Sequence, residues 1–250
     1  MSLPEAFSKT GLHIQRASDT PITRYQVLGE RSSGTNFIKR LIGRNSPLKP
    51  TESLGWKHGG LNMLAIPQNT AVICAVRRAD TWARSMFQKP WHTTPAMQAL
   101  SFSAFLRADW DTIIDRPRYF EGLIADGSKG APLQADRNPT TGARFDNLFA
   151  LRRAKLDAHL SILGRDCTCI VVRMENAQAD PEAILDTILK GLGQPARNAP
   201  FKPVVKRLGS KFKPAIPERP APPTDWSDAD LAFLRAQTDT TQEATLGYSY

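Results

Sequence analysis

Residues Tyr25 to Leu41, YQVLGERSSGTNFIKRL, constrain what this chain can fold into more than any other stretch. An apolar strand runs into a polar turn, and a helix opens on Ser-Gly-Thr-Asn. The first N–H groups of a helix lack intrahelical acceptors, and the helix dipole adds partial positive charge there. Such a turn suits a phosphate-like anion. Gly29 and Gly34 have the G-x-x-x-x-G spacing of a P-loop. Thr35 and Asn36, however, stand where a nucleoside triphosphatase has the Lys and Ser/Thr that hold the β/γ-phosphates and magnesium. The alternative is an ordinary strand-to-helix turn, with Ser32 or Ser33 as N-cap and Gly34 inside the first turn.

Two later blocks have the same strand-then-helix character. Residues Thr70 to Val76, TAVICAV, are a short apolar run suited to a central parallel strand. Arg77-Arg78 follow, and Ser85 lies eight residues after Arg77; a guanidinium fork and a hydroxyl at that spacing suit a dianionic phosphate. Residues Cys167 to Leu189 read as a strand, a short loop and a helix, with Asp180 as N-cap and Pro181 as first helical residue.

In this order the three blocks resemble the sulfotransferases that use 3′-phosphoadenosine 5′-phosphosulfate. Arg31 to Asn36 correspond to the 5′-phosphosulfate loop, Arg77 and Ser85 to the Arg-x7-Ser that contacts the 3′-phosphate, and Arg173-x-Glu175 with the Asp180-Pro181 helix to a scaffolding segment. The resemblance implies a three-layer α/β/α fold with a central parallel sheet, of the P-loop nucleoside triphosphate hydrolase type. It also implies in-line transfer of a sulfonate to a hydroxyl or amine, which needs a base at the acceptor and positive charge at the leaving oxygen. His58, in GWKHGG between the first two blocks, is the expected base; Lys57 or Arg31 is the expected charge stabiliser. Ser32, Ser33, Gly34, Thr35 and Asn36 complete the expected cofactor loop, and the scheme requires no metal. The family's Lys or Arg directly before Ser-Gly-Thr is displaced here: that position is Ser32, with Arg31 one residue earlier. The late basic stretch Lys202 to Lys213 has only a loose likeness to the family's cover for the 3′-phosphate; Lys206, Arg207 and Lys211 are its candidates, against a solvated basic linker.

The chain has 250 residues and reads as one α/β domain over 23–250, preceded by a flexible lead-in over 1–22. Residues 90–145 read as an acceptor-side insertion, whose Trp91, His92, Trp110, Tyr119 and Phe120 either line a pocket or cover the sheet. Residues 146–163 return to helical spacing, 200–223 form a Pro-rich basic loop, and a last helix starts at Ser227 with a capping-box-like pairing to Asp230. A net charge of +9 implies an anionic partner: the nucleotide, with an acceptor of unidentified type. No zinc spacing or aromatic-interleaved basic run argues for nucleic acid. No stretch is long and apolar enough to span a membrane, and three cysteines without framework spacing suit a reducing compartment, so the expected location is cytoplasmic. Two rivals stand beside the sulfotransferase reading. A P-loop kinase or NTPase would show magnesium-dependent ATP turnover. A non-catalytic polyanion-binding module would show salt-sensitive binding that His58→Ala leaves unchanged.

Overall fold

The computed structural model describes residues 3–205 and 211–250. Five strands make one sheet: β1 (Leu12–Gln15), β2 (Arg24–Leu28), β3 (Lys49–Pro50), β4 (Thr70–Val76) and β5 (Cys169–Arg173). Their spatial order is β1-β5-β4-β2-β3. The helices among the described residues are α1 (Phe7–Thr10), α2 (Thr35–Asn45), α3 (Ala79–Gln88), α4 (Pro95–Ala99), α5 (Phe102–Arg107), α6 (Pro117–Ala125), α7 (Leu148–Leu160), α8 (Met174–Ala179), α9 (Pro181–Gly191), α10 (Asp228–Gln237) and α11 (Thr240–Thr245). None is long and apolar enough to cross a membrane.

The sheet is mixed, which corrects the expectation of a purely parallel one. β2, β3, β4 and β5 run parallel, whereas β1 pairs antiparallel with β5, from Leu12 opposite Val172 to Gln15 opposite Cys169. The segment read as a flexible lead-in therefore supplies a helix and an edge strand. Its four strand residues are half-buried and alternate Leu-His-Ile-Gln, a run too short to mark a strand by itself, so pairing with β5 is what makes them one.

The chain forms two compact units, each with its own core. The first comprises Met1–Arg78, Lys155–Leu208 and Asp239–Ser249; the second comprises Ala79–Ala154, Gly209–Thr238 and Tyr250. The first unit holds the sheet. All seven residues of β4 are buried, as a strand covered on both faces requires. Helix α2 turns Thr35, Ile38, Leu41 and Ile42 inward at helical spacing. Its three large aliphatic side chains each contribute about 1.5–3 kcal/mol by leaving water. On α9 the Asp180 side chain accepts from the Ala183 amide at 3.1 Å, the cap expected from the sequence. Helix α8 occupies what reads as a loop.

The second unit takes in the whole of 90–145. Its core gathers Trp82, Phe87, Phe105, Trp110 and Phe149. Trp91, His92, Tyr119 and Phe120 make edge-on ring contacts with one another, and Asp115 accepts from His92 Nδ1 at 2.7 Å. Ser227 caps α10 by accepting from the Asp230 amide at 3.1 Å. The candidates Lys206 and Arg207 lie outside the described residues, and Lys211 is exposed.

The sheet order has one functional consequence. The chain leaves β2 toward β3 on one side and returns to β4 on the other, so β2 and β4 flank a topological switch point. In open α/β sheets the crevice beyond the C-terminal strand ends at such a point is where ligands bind.

Candidate functional site

Residues 29–36 form the turn at that point. Gly29 has φ 152°, and a Cβ there would stand 2.6 Å from the Ala75 carbonyl oxygen and 2.6 Å from Ser33 Oγ, so only glycine lets the loop pass this close to β4. Gly34 has φ 98° and would drive a Cβ into Met174. Between them Ser32 sits at φ 65°, a strained position for a residue with a side chain. Ser33 is buried, and its Oγ donates to the Glu30 carbonyl at 2.8 Å. It therefore does not cap α2; the N-cap is Gly34, with no capping side chain. Among the described residues, the amides of Gly34, Thr35 and Asn36 have no backbone acceptor. Thr35 is buried and Asn36 exposed at the helix start.

Cationic side chains surround this turn. Arg77, at the end of β4, donates from Nη1 to the Ser32 carbonyl at 3.1 Å, fastening the strained residue. Arg31 is buried, its guanidinium 5.8 Å above the Trp56 ring. Lys57 donates to Asn36 Oδ1 at 2.8 Å; burial, then the charge of Lys39, lowers its pKa. The loop also contains one buried carboxylate residue, Glu30.

The segment 55–60 has no regular secondary structure, yet each of its carbonyls accepts a hydrogen bond. Gln26 Nε2 donates to Gly55 at 2.8 Å, the Gly59 amide to Trp56 at 2.9 Å, and the Gly29 amide to Lys57 at 3.0 Å. Lys155 Nζ donates to His58 at 2.8 Å, His159 Nε2 to Gly59 at 3.0 Å, and the Asn62 amide to Gly60 at 3.1 Å. His58 Nδ1 lies 2.7 Å from the Gly29 carbonyl, so Nδ1 carries the hydrogen and Nε2 keeps its lone pair. Burial, with Lys57, Arg31 and Lys155 nearby, holds the His58 pKa well below 6.5 against the opposing bond to Gly29. At neutral pH the ring is an uncharged base.

Of the residues the sequence singles out, Arg31 to Asn36, Lys57, His58 and Arg77 all fall in the first unit, around one turn. Ser85 is half-buried on α3, in the second unit. Arg173 and Glu175 bond to neighbouring segments of the first unit. Arg173 Nη1 donates to the Ser8 carbonyl at 2.9 Å, and Glu175 accepts from the Arg78 amide and the Tyr248 hydroxyl, both at 2.9 Å. Trp56, Gln26, Lys155 and His159 were not foreseen. The only signal for the last two is their i, i+4 spacing in a helix otherwise read through its leucines.

Two grooves lie elsewhere, at the opposite ends of the parallel strands. One of about 680 Å³ is lined by Arg24, Pro47, Lys49 and Gln194, and a second of about 340 Å³ adjoins Arg44 and Lys202. They enclose none of the loop residues. Cys74, Cys167 and Cys169 are free and buried. Among the described residues no group of three or more His, Cys, Asp or Glu side chains is placed to hold a metal ion. Comparison with protein families, with curated proteins and with solved structures finds no match.

His159 gives the site a measurable acid limb. Burial lowers its pKa from 6.5 to about 4. Below pH 6.5 the unfolded chain takes up a proton that the folded chain refuses, so this stability is complete above 6.5 and lost between 6.5 and about 4. The difference amounts to about 3 kcal/mol. His159→Gln is expected to flatten the fall in unfolding free energy between pH 7.5 and 4.5, measured with denaturant, by roughly that amount. An unchanged slope would place the proton uptake on other groups.

Proposed function

We propose that the chain is a sulfotransferase of the P-loop α/β type, working in the cytoplasm with 3′-phosphoadenosine 5′-phosphosulfate as donor. The observation that carries this reading is the pairing, at the switch point, of an anion-binding turn with an imidazole held as a neutral base. The donor set fits the nucleotide: three backbone amides at a helix start, with Arg31, Lys57 and Arg77 around them, match a phosphosulfate without calling on a P-loop lysine. The nucleotide, when bound, supplies the sulfonate. His58 Nε2 accepts the proton of the acceptor hydroxyl or amine, and its Nδ1–H to Gly29 keeps that nitrogen available. Lys57, already partly desolvated, supplies positive charge for the leaving oxygen, with Arg31 behind it against Trp56. Arg77 acts on the turn directly, through Ser32. A 3′-phosphate contact by Arg77 is part of this proposal through the sequence likeness.

Calorimetric titration with 3′-phosphoadenosine 5′-phosphate, beside magnesium ATP, tests the reading. We expect metal-independent binding of the bisphosphate with ATP weak, and at least tenfold weaker binding in Arg77→Ala, about 1.4 kcal/mol or more, without loss of the fold. Preference for magnesium ATP would move the chain to the kinases, and binding of neither would leave the polyanion-binding module.

A further inference from the structure

We infer that Lys155 and His159 are positioning residues that hold His58 in its working orientation through the backbone of the turn that carries it. This rests on the proposed role of His58 as base, but the contacts stand independently of it. The two side chains are one helical turn apart near the end of α7, and both are buried. They donate to consecutive carbonyls, those of His58 and Gly59. Gly60 faces the same helix with room to spare: a Cβ there would be in ordinary contact, 3.8 Å, with that of Ala158, between the two donors in sequence.

The turn needs this external hold. It contains Gly59 and Gly60, whose backbones carry the largest entropy cost of ordering, and only its Trp56 and Gly60 carbonyls are satisfied within 56–62. On one side the loop after β2 holds the turn at Lys57 and at the imidazole itself; on the other, α7 holds it at His58 and Gly59. Removing the α7 side leaves two buried carbonyl acceptors unsatisfied and the ring tethered at one point. Lys155 also stands 5.9 Å over the Trp56 ring, which meets Arg31 as well as the edge of His58 at a centroid distance of 5.4 Å. Truncating Lys155 therefore disturbs both the backbone and the ring stack around His58, without touching a group that receives a proton.

The experiment is nitrogen-15 imidazole NMR of the full chain, with His58 assigned by its absence in His58→Asn. In the parent, His58 is expected as the Nδ1–H form, titrating well below pH 6.5, with Lys57, Arg31 and Lys155 as the charged groups facing it. In Lys155→Met the titration is expected to rise by roughly half a pH unit or more and the Nε2–H form to become populated. Lys155→Arg, which keeps a charged donor, should restore the parent signature. Bisphosphate affinity should stay within about threefold in Lys155→Arg, which keeps both the donor and the cation over Trp56. An unchanged His58 tautomer in Lys155→Met would overturn the proposal whatever the titration does, because losing the Lys155 charge raises the titration by itself. If that variant does not fold, Lys155→Gln, which keeps a neutral donor of shorter reach, reads the same two signals and decides in the same way. A parent that shows this response yet never transfers sulfonate would sink the proposed function and leave the positioning role standing.

Discussion

Replacing His58 by Asn is expected to slow sulfonate transfer by roughly 10²–10⁴-fold while bisphosphate binding stays within a few-fold of the parent. Asn can still donate to the Gly29 carbonyl, so the turn keeps its tether, but it offers no nitrogen lone pair to take a proton. Single-turnover rates beside calorimetry separate the two effects. Because the ring is held neutral well below pH 6.5, the parent rate should stay level as pH falls through 6.5 and drop only in more acid solution. Retention of the rate in His58→Asn would move the base to another group. A parallel loss of binding would mean that the imidazole supports the anion turn rather than the chemistry.

Gly29→Ala is expected to lower the stability of the chain by about 3–5 kcal/mol, the largest effect anticipated for a single methyl group here. The added Cβ would face the Ala75 carbonyl of the central strand, which cannot swing aside as a flexible side chain can, and the backbone at φ 152° is itself hostile to any other residue. Urea unfolding gives the number directly. A loss below about 1 kcal/mol would show that the turn relaxes away from β4, and the close approach would then not be what shapes the site. Gly34→Ala should be milder, because its added carbon meets the Met174 side chain, which has rotamers to explore.

Parts of this arrangement were legible before any coordinates. The run Thr70–Val76 has the composition of a strand covered on both faces, and it is one. The strand–turn–helix from Tyr25 follows from an apolar run, two glycines and an amphipathic helix. The caps at Asp180 and Ser227 follow from short side chains that satisfy the next turn's amides. Other parts were misread for physical reasons. Ser33 is a good capping residue by type, but its Oγ is drawn to the Glu30 carbonyl, so the cap passes to Gly34. Residues 12–15 alternate apolar and polar, but four residues are too few for that pattern to stand out without the pairing with β5.

Local chemistry in the sequence thus determined where the strand–turn–helix around residues 29–36 would form; that the imidazole of His58 lies next to it, 29 positions from Gly29, was set by the fold. Only the tertiary structure decided how that imidazole is held. Lys155 meets the His58 carbonyl across 97 positions of chain and His159 meets that of Gly59 across 100, and no local pattern encodes such pairings. Backbone acceptors are identical at every residue, so the sequence cannot show which donor reaches which carbonyl. That choice is made when the sheet sets the ends of β2 and β4 side by side and α7 comes to lie against the turn beyond them.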